Sequence, residues 1–210
     1  MPAGSEQGGH QMLEHGVLGA AHGHGPGQGA PTGDHQLLHG GDSMAGGCFG
    51  ASGEIRQGRY PGPMHVVFGA DHAGFPLKET LIRAVADAGY SVEDLGAHST
   101  DPVDYPDFAA AVAREVAAGR ADKGVVVCGS GAGAAIAANK VHGVRAAVAH
   151  DTYTAHQMVE HDDANVITLG SRVVGPALAE EIVLSYLAAR FTGEDRHRRR
   201  LAKITALEEG

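Results

Sequence analysis

Cysteine is scarce in this sequence. Cys48 and Cys128 are the two that its 210 residues contain, too far apart for a metal-ligand or redox spacing. Basic residues are also short: 16 Lys and Arg stand against 25 Asp and Glu, for a formal net charge of -9. That balance lacks the basic face that nucleic-acid binding normally needs. No apolar run approaches the length of a membrane-spanning helix. The first residues, MPAGSEQGGH, show no basic stretch followed by an apolar one, so no secretory signal is visible. The expectation is a soluble, reduced, cytoplasmic protein without nucleic-acid or membrane partners.

What is abundant divides the chain in two. Residues 1–62 are rich in glycine and histidine and hold no lasting apolar period. Such a segment cannot bury enough surface to offset its chain entropy, which predicts a disordered tail. Its histidines (His10, His15, His22, His24, His35, His39) could capture metal adventitiously, but their spacing is irregular. Cys48 falls in this tail and receives no role.

Residues 63–210 read as one domain. MHVVFGA is a strand, and PLKETLIRAVADAG a helix with Leu77, Leu81, Val85 and Ala88 on one face. YSVEDLG follows as a second strand. The loop AHSTDPVDYPD then leads to a helix expected from Phe108 to Ala118. KGVVVC, VRAAVA and NVITLG are the remaining strands, alternating with helices over GAAIAANK and TYTAHQMVEH. Two helices close the chain, over PALAEEIVLSYLAARF and EDRHRRRLAKITALEE. Strict alternation predicts an α/β fold, a three-layer doubly wound sheet of five parallel strands with right-handed crossovers. Ligands of such sheets bind beyond the carboxyl ends of the strands.

Those ends carry Asp71 and His72, then Cys128 with the loop Gly129, Ser130, Gly131, Ala132 and Gly133. His150 and Asp151 follow the fourth strand, and Ser171 and Arg172 the fifth. The small residues after Cys128 let a ligand approach the backbone, and N–H groups at a helix start favour an anion or a thiolate. Cys128 therefore fits two uses, core packing or a base or nucleophile. The loop lacks the Gly-Lys pair of a Walker A motif. It does match a dinucleotide fingerprint through Gly129, Gly131 and Ala134, although that fingerprint belongs on the first strand of its unit. At the C-terminus Arg196 and Arg200 stand four apart on one helix face. They suit a phosphate dianion, or are simply solvated surface. His161 and Asp162 precede the fifth strand, which sets His161 near the opposite edge of the sheet from Cys128.

Taken together, GADHAGFPLK, DYPDFA, CGSGAGAAIAANK, GVRAAVAHDTYTA, EHDDANVITLGSRVVG and RHRRR, in this order, resemble the ribose-5-phosphate isomerase B family, which includes galactose-6-phosphate isomerase subunits. The resemblance implies a flavodoxin-like sheet and a metal-free, cofactor-free aldose–ketose isomerase acting on ribose 5-phosphate and ribulose 5-phosphate. It also implies a homodimer or dimer of dimers with a shared active site, so that a second subunit supplies His161. Cys128 then matches the base that moves the proton between C2 and C1, and His161 the acid/base that opens the sugar ring. The backbone of Gly129 to Gly133, with the Ser130 hydroxyl, would hold the enediolate oxygens. Asp71 matches a contact to ring hydroxyls, and His72, Arg172, Arg196 and Arg200 match phosphate and substrate binders. Tyr105 matches a residue of the loop before the second helix. Ala135 stands in the region where another branch of the family has a glutamate base, which puts this chain in the cysteine branch. Asp162 is a departure, since many members have asparagine there and a carboxylate cannot donate as an amide does. Other sugar phosphates (allose, galactose or tetrulose) and a nicotinamide-binding protein using GSGAGA are the alternatives.

Overall fold

The structure, a computed structural model, describes residues 62–209. The predicted tail, with its histidines and Cys48, lies outside the described residues. The elements are β1 (His65–Ala70), α1 (Phe75–Asp87), β2 (Ser91–Asp94), α2 (Tyr105–Ala117) and β3 (Lys123–Cys128). They continue with α3 (Ala132–Ala138), β4 (Ala146–Val148), α4 (Thr152–Asp162), β5 (Val166–Gly170), α5 (Pro176–Ala188) and α6 (Asp195–Glu209).

Each strand is followed by a helix, and the five strands pair in parallel in the order β2-β1-β3-β5-β4. Side chains alternate between the two faces, as the period of a strand requires. Val66, Phe68, Val125, Val127, Ile167 and Leu169 face one core, which Leu81, Met158 and Ile182 of α1, α4 and α5 complete. Val67, Val126, Cys128 and Val166 face the other, against Val112 of α2 and Ala134 of α3. Helices on both faces are what near-continuous apolar strands demand. The layers approach closely where glycine replaces a side chain. A methyl group on Gly124 would stand 2.6 Å from Val112 Cγ1, and one on Gly69 would stand 2.8 Å from its Cγ2.

The expected doubly wound, flavodoxin-like sheet is present, with β5 lying inside β4. Several boundaries differ from expectation, three of them with a consequence for the fold or the site. Helix α2 begins at Tyr105 rather than Phe108, because Pro106 falls in its first turn, where a missing N–H costs nothing. Tyr105 is therefore a helix residue and not part of a loop. Strand β4 is three residues long rather than six, since as an edge strand it pairs only with β5. Ala132, expected within the glycine loop, already belongs to α3.

Candidate active site

At the carboxyl edge of the sheet, backbone hydrogen bonds tie the loops after β1, β3 and β5 into one floor. The Ser171 N–H donates to the Cys128 carbonyl (2.8 Å) and the Arg172 N–H to the Gly129 carbonyl (3.1 Å). Ser171 Oγ donates to the Ala73 carbonyl at 2.9 Å. This arrangement lays the Arg172 side chain over the glycine loop, its Nε 3.7 Å from where a Cβ of Gly129 would be. Gly131 turns the chain with φ 81°, a conformation that favours glycine.

Cys128 is 4% exposed and packs in the α2/α3 core, yet its sulfur is not inert packing. The Gly131 N–H donates to Sγ at 3.1 Å, a bond that a thiolate accepts more strongly than a thiol. Ser130 is exposed beside it, and its Oγ lies 3.4 Å from the Ala132 N–H. Asp71 is buried. Its Oδ1 accepts the Gly74 N–H at 2.8 Å, which leaves Oδ2 with no hydrogen bond among the described residues. His72 Nδ1 lies 3.2 Å from the Val103 carbonyl oxygen and 3.3 Å from its N–H, pinning the segment that leads into Tyr105. The structure thus brings together Asp71, His72, Tyr105, Cys128, Gly129, Ser130, Gly131, Ala132, Gly133 and Arg172.

His161, Asp162, Arg196 and Arg200 are held elsewhere. Helix α4 starts beyond the carboxyl end of β4 and runs back along the sheet, so His161 and Asp162 emerge near the start of β5. The Asp162 carbonyl accepts from Arg145 Nε at 3.2 Å, just ahead of β4. The length of β3, about 3.3 Å per residue, separates this edge from Cys128. Helix α6 begins beside it, where His197 packs its ring on His161 with centroids 4.2 Å apart. Arg196 is exposed and pairs with Glu194 at 2.7 Å. Arg200 is exposed and makes no ion pair among the described residues. One copy of the chain therefore holds the expected site residues in two groups at opposite edges of the sheet.

Residues 66–204 match the sequence pattern of the family described as Ribose/Galactose Isomerase. The chain belongs to that family. Ribose-5-phosphate isomerase B of Escherichia coli (strain K12) is 44% identical over 144 residues, covering 69% of this chain and 96% of that protein. D-erythrulose-4-phosphate isomerase 2 of Mycolicibacterium smegmatis is 40% identical over 148 residues, covering 69% and 97%. Among solved structures, the type B ribose 5-phosphate isomerase of Trypanosoma brucei is 50% identical. It matches with a TM-score of 0.68 over 69% of this chain and 99% of that one. These members of the Ribose/Galactose Isomerase family match along nearly their whole length.

Several functional neighbours were not legible as such. His150, noted only for its place after β4, accepts the Gly170 N–H on Nε2 at 3.1 Å and so fixes the end of β5. Asp151 caps α4, and the Thr154 N–H and hydroxyl bonds hold its carboxyl below the usual carboxylate range. Lys78, wholly buried, pairs with Asp94 and donates to the Ala97 carbonyl at 2.7 Å, closing the loop next to Asp71. Among the described residues no three His, Cys, Asp or Glu side chains converge on a metal position, and no helix is long and apolar enough to cross a membrane.

Proposed function

We propose that this chain, a sugar-phosphate isomerase by family, interconverts ribose 5-phosphate and ribulose 5-phosphate. Cys128 as thiolate takes the proton from C2 of the open aldose, and the electron pair becomes the C1–C2 double bond of an enediolate as the C1=O π pair moves to O1. The proton returns at C1 while the O2 proton passes to O1 and C2 becomes the carbonyl. The glycine loop and Ser130 sit where the enediolate oxygens form, and hydrogen-bond donors at that place lower the barrier to carbon deprotonation. Asp71 Oδ2 is free to meet a sugar hydroxyl, and His72 and Arg172 suit the substrate's polar end. The observation that carries the reading is Cys128 Sγ accepting the Gly131 N–H at the turn of the glycine loop.

His161, Arg196 and Arg200 enter from a second copy of the chain in a homodimer. The separation of the two groups supports that arrangement. So do the exposed apolar side chains Ile136, Tyr153, Val173 and Leu178, which follow the carboxyl ends of strands. The partner's edge would bring Arg196 and Arg200 to the phosphate dianion as paired guanidinium donors.

The test is turnover of ribose 5-phosphate by the wild type beside Cys128→Ala. Activity confined to the wild type supports the reading, and equal activity in both removes Cys128 as base. The shared site has its own test. Mixing inactive Cys128→Ala and His161→Ala proteins under exchanging conditions returns about a quarter of wild-type activity, because half the dimers are mixed and each holds one intact site. No recovery would mean that Cys128 and His161 do not meet across a dimer. A four-carbon sugar phosphate is the second reading, supported by the relatives that are D-erythrulose-4-phosphate isomerases. A nicotinamide cofactor is the third, and an NADH fluorescence titration without change would eliminate it.

A further inference from the structure

The edge that holds His161 contains a histidine to which nothing above assigns a role. His197 is the sole buried residue of the fifteen in α6, and it is wholly buried. Its surroundings determine its tautomer. The Glu160 carbonyl accepts both the N–H and the Oγ1–H of Thr192, each at 3.0 Å. His197 Nδ1 lies 3.4 Å from that same carbonyl oxygen and 3.3 Å from Thr192 Oγ1. With the Thr192 hydroxyl proton already given to the carbonyl, both oxygens can only accept from the ring, so Nδ1 carries the hydrogen. Nε2 is then a bare lone pair, buried and without a partner among the described residues.

An unpaired buried nitrogen is destabilising, and a leucine would anchor the helix without that cost. The ring lies edge-to-face against His161, at an interplanar angle of 65° and a centroid distance of 4.2 Å. It is also bonded to the carbonyl of Glu160, the residue before His161. His197 thus grips the backbone and the ring of the same neighbour. His161 itself is only half-buried, so its ring is otherwise free to turn.

We propose that His197 is a positioning residue for sugar-ring opening: its ring sets the plane of His161, and Nε2 is the acceptor onto which a His161 N–H turns, leaving the other nitrogen aimed at the sugar. This rests on the reading of His161 as the ring-opening group. In that step His161 takes the O1 proton and gives one to the ring oxygen as the C1–O4 bond breaks, so no atom is gained or lost.

Ring opening can be separated from the Cys128 step. Ribulose 5-phosphate is already open, because the hydroxyl that would close a five-membered ring carries the phosphate. Deuterium uptake from solvent at its C1 therefore reports enediolate formation alone. The experiment compares wild type with His197→Asn, which keeps an amide N–H near the place of Nδ1 and loses the ring and Nε2. His197→Leu, which keeps the bulk and loses both nitrogens, is the second variant if the first fails to fold. Conversion of ribose 5-phosphate is expected to fall by about tenfold to a hundredfold while C1 exchange stays within about twofold, the loss typical of a misplaced reacting group. An equal fall in both activities would assign His197 to folding or assembly and overturn the proposal, as would no fall in either. A wild-type chain inactive in both assays would remove the underlying reading, and this inference with it.

Discussion

Tyr105 lies so close to Gly133 that a methyl group there would stand 2.6 Å from the ring carbon Cζ and 2.9 Å from the hydroxyl oxygen. The first residue of α2 and the second of α3 thus meet over the edge of the glycine loop. Gly133 has an ordinary helical backbone, so alanine is tolerated there and improves helix propensity by up to about 1 kcal/mol. Only the end of the Tyr105 side chain must move. Gly133→Ala is therefore expected to melt at the wild-type temperature or slightly above it, while kcat/KM falls about tenfold as Tyr105 swings off the site. An unchanged kcat/KM would remove Tyr105 from the candidate site.

The proposed function gives Cys128 a second job beside packing, and one substitution can separate the two. As a small buried group in the α2/α3 core it contributes packing, and Cys128→Ala leaves only a small void, at a cost of about 1 kcal/mol. As the proposed base it would carry the proton transfer, and its loss is then expected to lower kcat by about a hundredfold to ten-thousandfold. Urea unfolding and steady-state kinetics on the same preparation measure both. A large stability loss with proportionate activity loss would return Cys128 to the core alone.

Gly74 shows how tightly the β1 loop is seated on β3. A Cβ at Gly74 would overlap the Val127 carbonyl oxygen, which belongs to a central strand and cannot retreat. The same residue donates its N–H to Asp71 Oδ1 at 2.8 Å. Gly74→Ala is expected to destabilise the fold by about 3 kcal/mol, read as a lowered urea midpoint. It is also expected to raise KM by displacing Asp71. A midpoint equal to that of the wild type would show the loop free to lift.

The strands and their faces were legible because β1, β3 and β5 are apolar, short and punctuated by glycine and charged residues. Cys128 and its loop were legible for the same reason: a strand that ends in glycines has little else to do there. The order of the last two strands was not. Nothing local in Ala146–Val148 distinguishes an edge strand from an inner one, since crossover helices of either reach can join such strands. His197 stayed hidden because the single buried position of α6 sits inside RHRRR, where arginines dominate and the residue reads as solvated. Lys78 paired with Asp94 was equally invisible. A lysine in the first turns of an amphipathic helix reads as solvated until the loop that covers it is placed.

Lys123 makes stability depend on pH in a direction opposite to that of a paired lysine. It opens β3 at the edge away from Cys128, where Nζ donates to the Ala164 carbonyl at 2.6 Å and lies 4.7 Å from the centroid of the Tyr186 ring. Burial pushes its ammonium from the ordinary 10.5 down to about 8, against the upward pull of Asp163 and with a smaller push from Arg145. The unfolded chain, with the ordinary value, binds more protons than the folded one between these two values. Stability therefore rises with pH across that window, and below about 8 the full penalty of a buried charge is present. Lys123→Met carries no such charge. Its stability advantage over the wild type is expected to be greatest at pH 7 and to shrink steadily towards pH 10, followed by urea unfolding at each pH. Burial also raises the Tyr186 hydroxyl well above the usual tyrosine range, which lowers stability at still higher pH. Both proteins share that residue, so the difference between them isolates Lys123. A difference independent of pH between 8 and 10 would mean that Lys123 is solvated in the folded chain.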